Sequence, residues 1–210
     1  MVSSDEACPN YSDMIRNFET GHEFLKREFG IKPTVGWQLD PFGHSNANAY
    51  LFAEMGLKQI VFARMNLPEF EDMKITRDLQ FIWEPKFATS SDDQSRRIFA
   101  HALYDHYHNT CVSNNELIRG GALTKGDLSY EVQCFLDYFK KQRDAYRTDT
   151  VLVMYGDDFT LTTPQTFEDL LTIIEALQKR INESDSIDGV KYDVKISSMK
   201  DYFADVYKQV

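Results

Sequence analysis

The chain has 210 residues, 42% of them apolar and 13% aromatic, with a formal net charge of −10 and an isoelectric point near 4.9. This is the composition of a globular chain with one sizeable core, not of a disordered one. The acidic balance repels phosphate backbones and argues against nucleic acid as a partner, and no apolar run approaches the ~20 residues of a membrane span.

The first residues, Met1 to Ala7, are polar and acidic, unlike a signal peptide. A helix is expected from about Tyr11 to Phe29, with Met14, Ile15, Phe18, Phe24, Leu25 and Phe29 on a broad apolar face. Gly30 suits its C-terminal cap, and Pro33 bars continuation. Thr34 to Leu39 reads as a short strand, and Ser45 as the N-cap of a second helix running to Met55 and ended by Gly56. Gln59 to Met65 and Leu79 to Trp83 read as further strands. The polar stretch Thr89 to His108 gives no clear element, and Gly120-Gly121 marks a loop. Leu128 to Ala145 is a helix with Val132, Phe135, Leu136 and Phe139 inward.

Val151 to Tyr155 is an uninterrupted apolar run, the pattern of a strand buried on both faces, and Gly156-Asp157-Asp158 ends it. Thr163 and Pro164 start a helix carrying Phe167, Leu170, Leu171, Ile174, Leu177 and Ile181. A last strand, Tyr192 to Ile196, and a last helix, Ser197 to Tyr207, follow. The alternation of helical and strand periods predicts an α/β fold with a mainly parallel sheet.

Cys8, Cys111 and Cys134 form no C-x-x-C pair, which gives no support to a thiolate zinc site. They read as three buried free thiols. Two glycosylation sequons, Asn10-Tyr11-Ser12 and Asn182-Glu183-Ser184, are compatible with a secretory life.

In parallel α/β sheets the reacting groups sit at the carboxyl ends of strands. Two such ends carry acid here: Asp40, and the pair Asp157-Asp158. Single aspartates in these places are commonly turn formers or helix caps. Two facing one cleft would be the acid/base and nucleophile of a glycosidase.

The stretch Trp37-Gln38-Leu39-Asp40-Pro41-Phe42-Gly43-His44-Ser45 resembles the long W-x-[IL]-D-P-F-G-H-S signature of glycoside hydrolase family 38, the α-mannosidases. Asp5-Glu6-Ala7, Leu51 to Gly56, Phe62-Ala63-Arg64, Tyr146-Arg147-Thr148 and Met154 to Phe159 resemble other family segments, in the same order. The likeness covers nearly the whole chain and is weakest over 73–101 and 112–126.

That resemblance implies a partial seven-stranded (β/α) barrel with mainly parallel strands and its first strand missing. Residues 1–210 would form a single incomplete catalytic domain, without the upstream H-x-D strand and the later β domains. It implies a retaining, zinc-dependent enzyme acting on mannose-containing oligosaccharides or N-glycans in the secretory pathway or lysosome. Asp40 matches the nucleophile and one of four zinc ligands. Asp158 matches the acid/base, and Asp157 the variable member beside it. Arg64 matches the cation next to the nucleophile. Trp37 is expected to support the site, and Tyr104 to be an active-site tyrosine, with Tyr107 competing for that role. A retaining pair stands about 5–5.5 Å apart, the separation expected of Asp40 and Asp158.

The other three zinc ligands have no match in this chain, so the alternative is an inactive truncated remnant or a weak carbohydrate-binding protein. His44 reads as a structural hydrogen-bonder, and His106-Tyr107-His108 as solvated. Asp92-Asp93 and Arg96-Arg97 read as a solvated face.

Overall fold

A computed structural model describes residues 3–86, 96–108, 111–113, 123, 127–184 and 186–210. The predicted Gly120-Gly121 loop and Asp92-Asp93 lie outside them. The chain forms two compact units, one of Met1–His106 with Ala145–Arg147, the other of Tyr107–Asp144 with Thr148–Val210. No described helix is long and apolar enough to cross a membrane.

The first unit contains α1 (Tyr11–Phe29), β1 (Val35–Gln38), α2 (Asn46–Glu54), β2 (Gln59–Phe62), α3 (Leu67–Thr76), β3 (Gln80–Trp83) and β4 (Ile98–Ala102). The sheet order is β1-β2-β4-β3, with the first two pairings parallel and β3 antiparallel to β4 at the edge. The expected α/β class and mostly parallel sheet are both present. β2 and β4 are buried along their whole length, as central strands should be.

α1 is capped by the Asn10 side chain, which accepts from the Ser12 amide, and ends at Gly30 with φ 68°. Its buried face is Met14, Phe18 and Gly21, narrower than the predicted stripe, because Phe24 and Phe29 point to solvent. α2 starts where predicted, with Ser45 Oγ accepting from the Ala47 amide at 3.1 Å. Gly36 is required by packing: a Cβ there would come within 3.0 Å of the fully buried Phe52 ring. Phe52 in turn meets Phe18 edge-on at 4.9 Å, which fastens α1 and α2 over β1.

Two elements of this unit escaped the sequence reading. α3 has a single buried residue, Phe70, while Leu67 and Ile75 are exposed, so no helical stripe is there to read. β4 hides a histidine in its centre: His101 is fully buried, bonded to Gln80 at 3.2 Å and stacked on Tyr146 at 5.0 Å. Tyr146 also donates its hydroxyl to the Ala102 carbonyl at 2.8 Å, and its own carbonyl accepts from Arg77 Nε at 2.7 Å.

The second unit contains α4 (Ser129–Ala145) up to Asp144, α5 (Pro164–Asn182) and α6 (Met199–Val206). Their core gathers Val132, Phe135, Leu136 and Phe139 of α4 with Ile173 and Leu177 of α5. α5 buries Thr166, Asp169, Ile173 and Leu177, so its inner face is rotated from the predicted one, and Phe167 and Leu171 are about half exposed.

The predicted strands Val151–Tyr155 and Tyr192–Ile196 belong to no ladder among the described residues. Val153, Tyr155, Tyr192 and Val194 are instead partly buried against the α4–α5 core. Their apolar pattern serves packing on helices, not a sheet sandwiched on both faces. The reading of three buried free thiols is also corrected. Cys111 and Cys134 sit together in this core and are disulfide-bonded, and Cys8 is free and exposed.

Candidate active site

The register of the sheet builds the rim of the site. Gln38 on β1 lies opposite Phe62 on β2, and Phe62 lies opposite Ala102 on β4. Two residues beyond each of these parallel partners come Asp40, Arg64 and Tyr104. Three positions far apart in sequence therefore leave the sheet at the same carboxyl-end rim.

The first contact follows directly. Arg64 Nε donates to Asp40 Oδ1 at 2.6 Å, and its Nη2 reaches the same oxygen. The Arg64 guanidinium also lies over the exposed Phe42 ring, 4.9 Å from its centre. Both partners of the ion pair are about 40% exposed, at 39% and 45%, so the pair contributes only about 0–1 kcal/mol to stability. Its effect is geometric: one carboxylate oxygen is held by a planar fork, and Oδ2 keeps no hydrogen bond among the described residues. Gly43, at φ 133°, lets the loop turn back toward α2.

His44 is a hydrogen-bonder, as read: its Nε2 meets the Arg64 carbonyl at 2.9 Å, and its ring packs on Phe62 at 4.7 Å. Trp37 is half-buried on the opposite pleat from Gly36 and Gln38, and no described hydrogen bond joins its side chain to Asp40 or Arg64. Tyr104 lies beneath Lys74, whose Nζ is 4.8 Å from the ring centre.

The second acidic turn, in the other unit, separates the roles of its two aspartates. Asp157 Oδ1 accepts from the Asp158 amide at 2.7 Å, and the Asp157 amide donates to Thr160 Oγ1 at 2.7 Å. Asp157 is thus the turn former. Asp158 is exposed and accepts from the Tyr107 hydroxyl at 3.2 Å. Phe159 and Leu161 both take φ 58°, a left-handed conformation that side-chain-bearing residues seldom adopt, and Phe159 is 90% exposed. Such local strain is found where a turn must present a particular group. Of the two tyrosines weighed from sequence, Tyr107 is the one on Asp158. Asp40 belongs to the first unit and Asp158 to the second.

The family model described as Glycosyl hydrolases family 38 N-terminal domain matches residues 1–210. The chain belongs to glycosyl hydrolase family 38. Alpha-mannosidase C of Dictyostelium discoideum is 30% identical over 235 residues, covering 98% of this chain and 21% of that protein. An alpha-mannosidase of Canavalia ensiformis is 36% identical over 163 residues, 74% of this chain and 16% of its own length. The crystal structure of an alpha-mannosidase from Enterococcus faecalis V583 shares the fold with a TM-score of 0.65 at 15% identity, over 95% of this chain and 19% of that one. The chain spans about a fifth of the length of the curated relatives it matches.

Among the described residues no three His, Cys, Asp or Glu side chains cluster so as to hold a metal ion. Asp40 also shares one of its oxygens with Arg64. The described residues alone do not fit a four-ligand zinc centre.

Sequence reasoning passed over two residues at this rim. Phe42 lies inside the signature, and its exposed ring beside a strand-end acid is a signal in its own right. Glu6 lies in the quoted Asp5-Glu6-Ala7 segment, but nothing local in the sequence shows that its side chain is buried.

Proposed function

We propose that this chain carries the nucleophile of a retaining α-mannosidase that hydrolyses terminal α-mannosyl linkages of N-glycans or mannose oligosaccharides. The observation that carries the reading is the Arg64 clamp on Asp40 at the end of β1. It holds one oxygen of a half-exposed carboxylate and leaves Oδ2 for the anomeric carbon. In the first half-reaction Oδ2 attacks that carbon while Asp158 gives its proton to the departing glycosidic oxygen. In the second, Asp158 takes a proton from water as the glycosyl–Asp40 ester is hydrolysed, so configuration is retained. The Tyr107 hydroxyl orients the Asp158 carboxyl for both transfers.

Zinc dependence belongs to the same proposal. Asp40 would supply one ligand, and the ion would need others that the described residues do not provide. The Cys111–Cys134 disulfide and the two sequons support work in the oxidising lumen of the secretory pathway.

Turnover of an aryl α-mannoside, with zinc supplied, tests the reading. Asp40→Asn should lower kcat by at least about 10⁴-fold with the fold intact. Wild-type-like turnover by that variant would sink the assignment. A second reading, weak mannoside binding without turnover, draws on the incomplete donor set. It is favoured if the protein binds mannose by calorimetry yet shows no zinc-stimulated hydrolysis.

A further inference from the structure

The loop that carries Asp40 is held at both ends by one buried carboxylate. Glu6 lies 32 residues before Gln38 in the chain, yet its side chain is only 3% exposed and sits beneath this loop. Glu6 Oε1 accepts from Gln38 Nε2 at 3.1 Å, at the last residue of β1. Glu6 Oε2 accepts from the Ser45 amide at 2.5 Å, at the N-cap of α2. The residues between, from Leu39 to His44, form the loop with Asp40 in it. Gln38 is itself fully buried and exchanges hydrogen bonds with the Ser4 backbone, at 3.2 and 3.1 Å, which ties the Glu6 segment along β1.

The same carboxylate also reaches the arginine. Glu6 Oε1 lies 3.2 Å from His44 Nδ1, and His44 Nε2 lies 2.9 Å from the Arg64 carbonyl oxygen. A carbonyl can only accept, so Nε2 carries a proton and donates to it. The 3.2 Å contact of Nδ1 with Oε1 joins the ring to the carboxylate. Glu6, His44 and the Arg64 backbone thus make a continuous chain that ends on the residue gripping Asp40.

We propose that Glu6 is a positioning residue for the Asp40–Arg64 pair, acting directly on the ends of the Asp40 loop and through His44 on Arg64. The proposal rests on the reading of Asp40 as nucleophile. Glu6 does not touch the reacting atoms. A misplacement of about 1 Å in such a site can cost about 10²-fold in rate. Removing Glu6 should therefore lower kcat by about that factor and leave KM within about threefold.

The test measures kcat, KM and urea stability of the protein for Glu6→Ala, Glu6→Gln, His44→Phe and the Glu6→Ala/His44→Phe double variant, beside Asp40→Asn. Glu6→Gln keeps an acceptor for the Ser45 amide and a donor for His44 Nδ1 but gives up the acceptor for Gln38 Nε2, so its kcat should lie between those of Glu6→Ala and the parent. His44→Phe keeps a ring against Phe62 but loses both nitrogens, and its kcat should fall at least about tenfold. The double variant should lose less than the product of the two single losses, because both act on one network. A folded Glu6→Ala variant with kcat within about threefold of the parent overturns the proposal, as do fully additive losses. If Glu6→Ala fails to fold, unchanged kcat in His44→Phe overturns it alone. Normal kcat in the Glu6 and His44 variants beside a dead Asp40→Asn sinks only the positioning role. Activity in Asp40→Asn sinks the nucleophile assignment instead.

Discussion

His101 makes a sharp prediction about acid stability. The side chain is fully buried in the middle of β4, and burial pushes its pKa from 6.5 down to about 3. Unfolding exposes the imidazole to water, where it takes up a proton near pH 6.5. The unfolded state therefore binds more protons than the folded one throughout the window between pH 6.5 and about 3. The stability is fully present above pH 6.5 and is lost as pH falls through this window, at up to about 1.4 kcal/mol per pH unit. At pH 5 the loss from this group alone amounts to about 2 kcal/mol, and at pH 4 to about 3 kcal/mol. Urea unfolding of the parent and of His101→Phe at pH 7.5, 6, 5 and 4 measures it. The variant is destabilised at neutral pH, since it leaves Gln80 without its partner on the ring. Its stability should then fall less steeply with acid, by about 2 kcal/mol less between pH 7.5 and 5. Parallel curves for the two proteins would refute the reasoning.

Other outcomes follow from packing and cross-linking. Gly36→Ala forces a methyl into the Phe52 ring edge and should cost about 1–3 kcal/mol by urea unfolding, recovered in part by Phe52→Leu. Reducing the Cys111–Cys134 bond frees a loop with a sequence separation of 23 and should cost about 3 kcal/mol, seen as a lower unfolding midpoint with reductant. Tyr107→Phe removes the hydroxyl from Asp158 and should lower kcat about tenfold with little change in KM, short of the roughly 10²–10⁴-fold expected for Asp158→Asn.

The legible parts of the sequence were those with local signals. Gly30 and Ser45 mark helix ends by chemistry that acts over a few residues, and the signature around Asp40 is long enough to name a family. What placed Arg64 beside Asp40 was register, and register is a property of two strands that neither shows alone. β4 was illegible because a buried histidine interrupts its apolar run, and α3 because Phe70 is its single buried residue while Leu67 and Ile75 face solvent. Val151 to Tyr155 was misread for the converse reason: an apolar run of five fits a buried strand or a segment packed on helices equally well. The Cys111–Cys134 pairing could not be deduced, since three cysteines allow more than one partner choice. Glu6 was invisible because nothing local marks a carboxylate destined to bind a loop more than thirty residues away.

The central claim is that Asp40 forms the covalent bond to sugar. A slowly released fluorinated mannosyl fluoride, followed by proteolysis and mass spectrometry, examines that bond directly. One mannosyl adduct is expected on the peptide containing Asp40, absent in Asp40→Asn. An adduct on another carboxylate, or steady turnover with inverted product and no adduct, would contradict it.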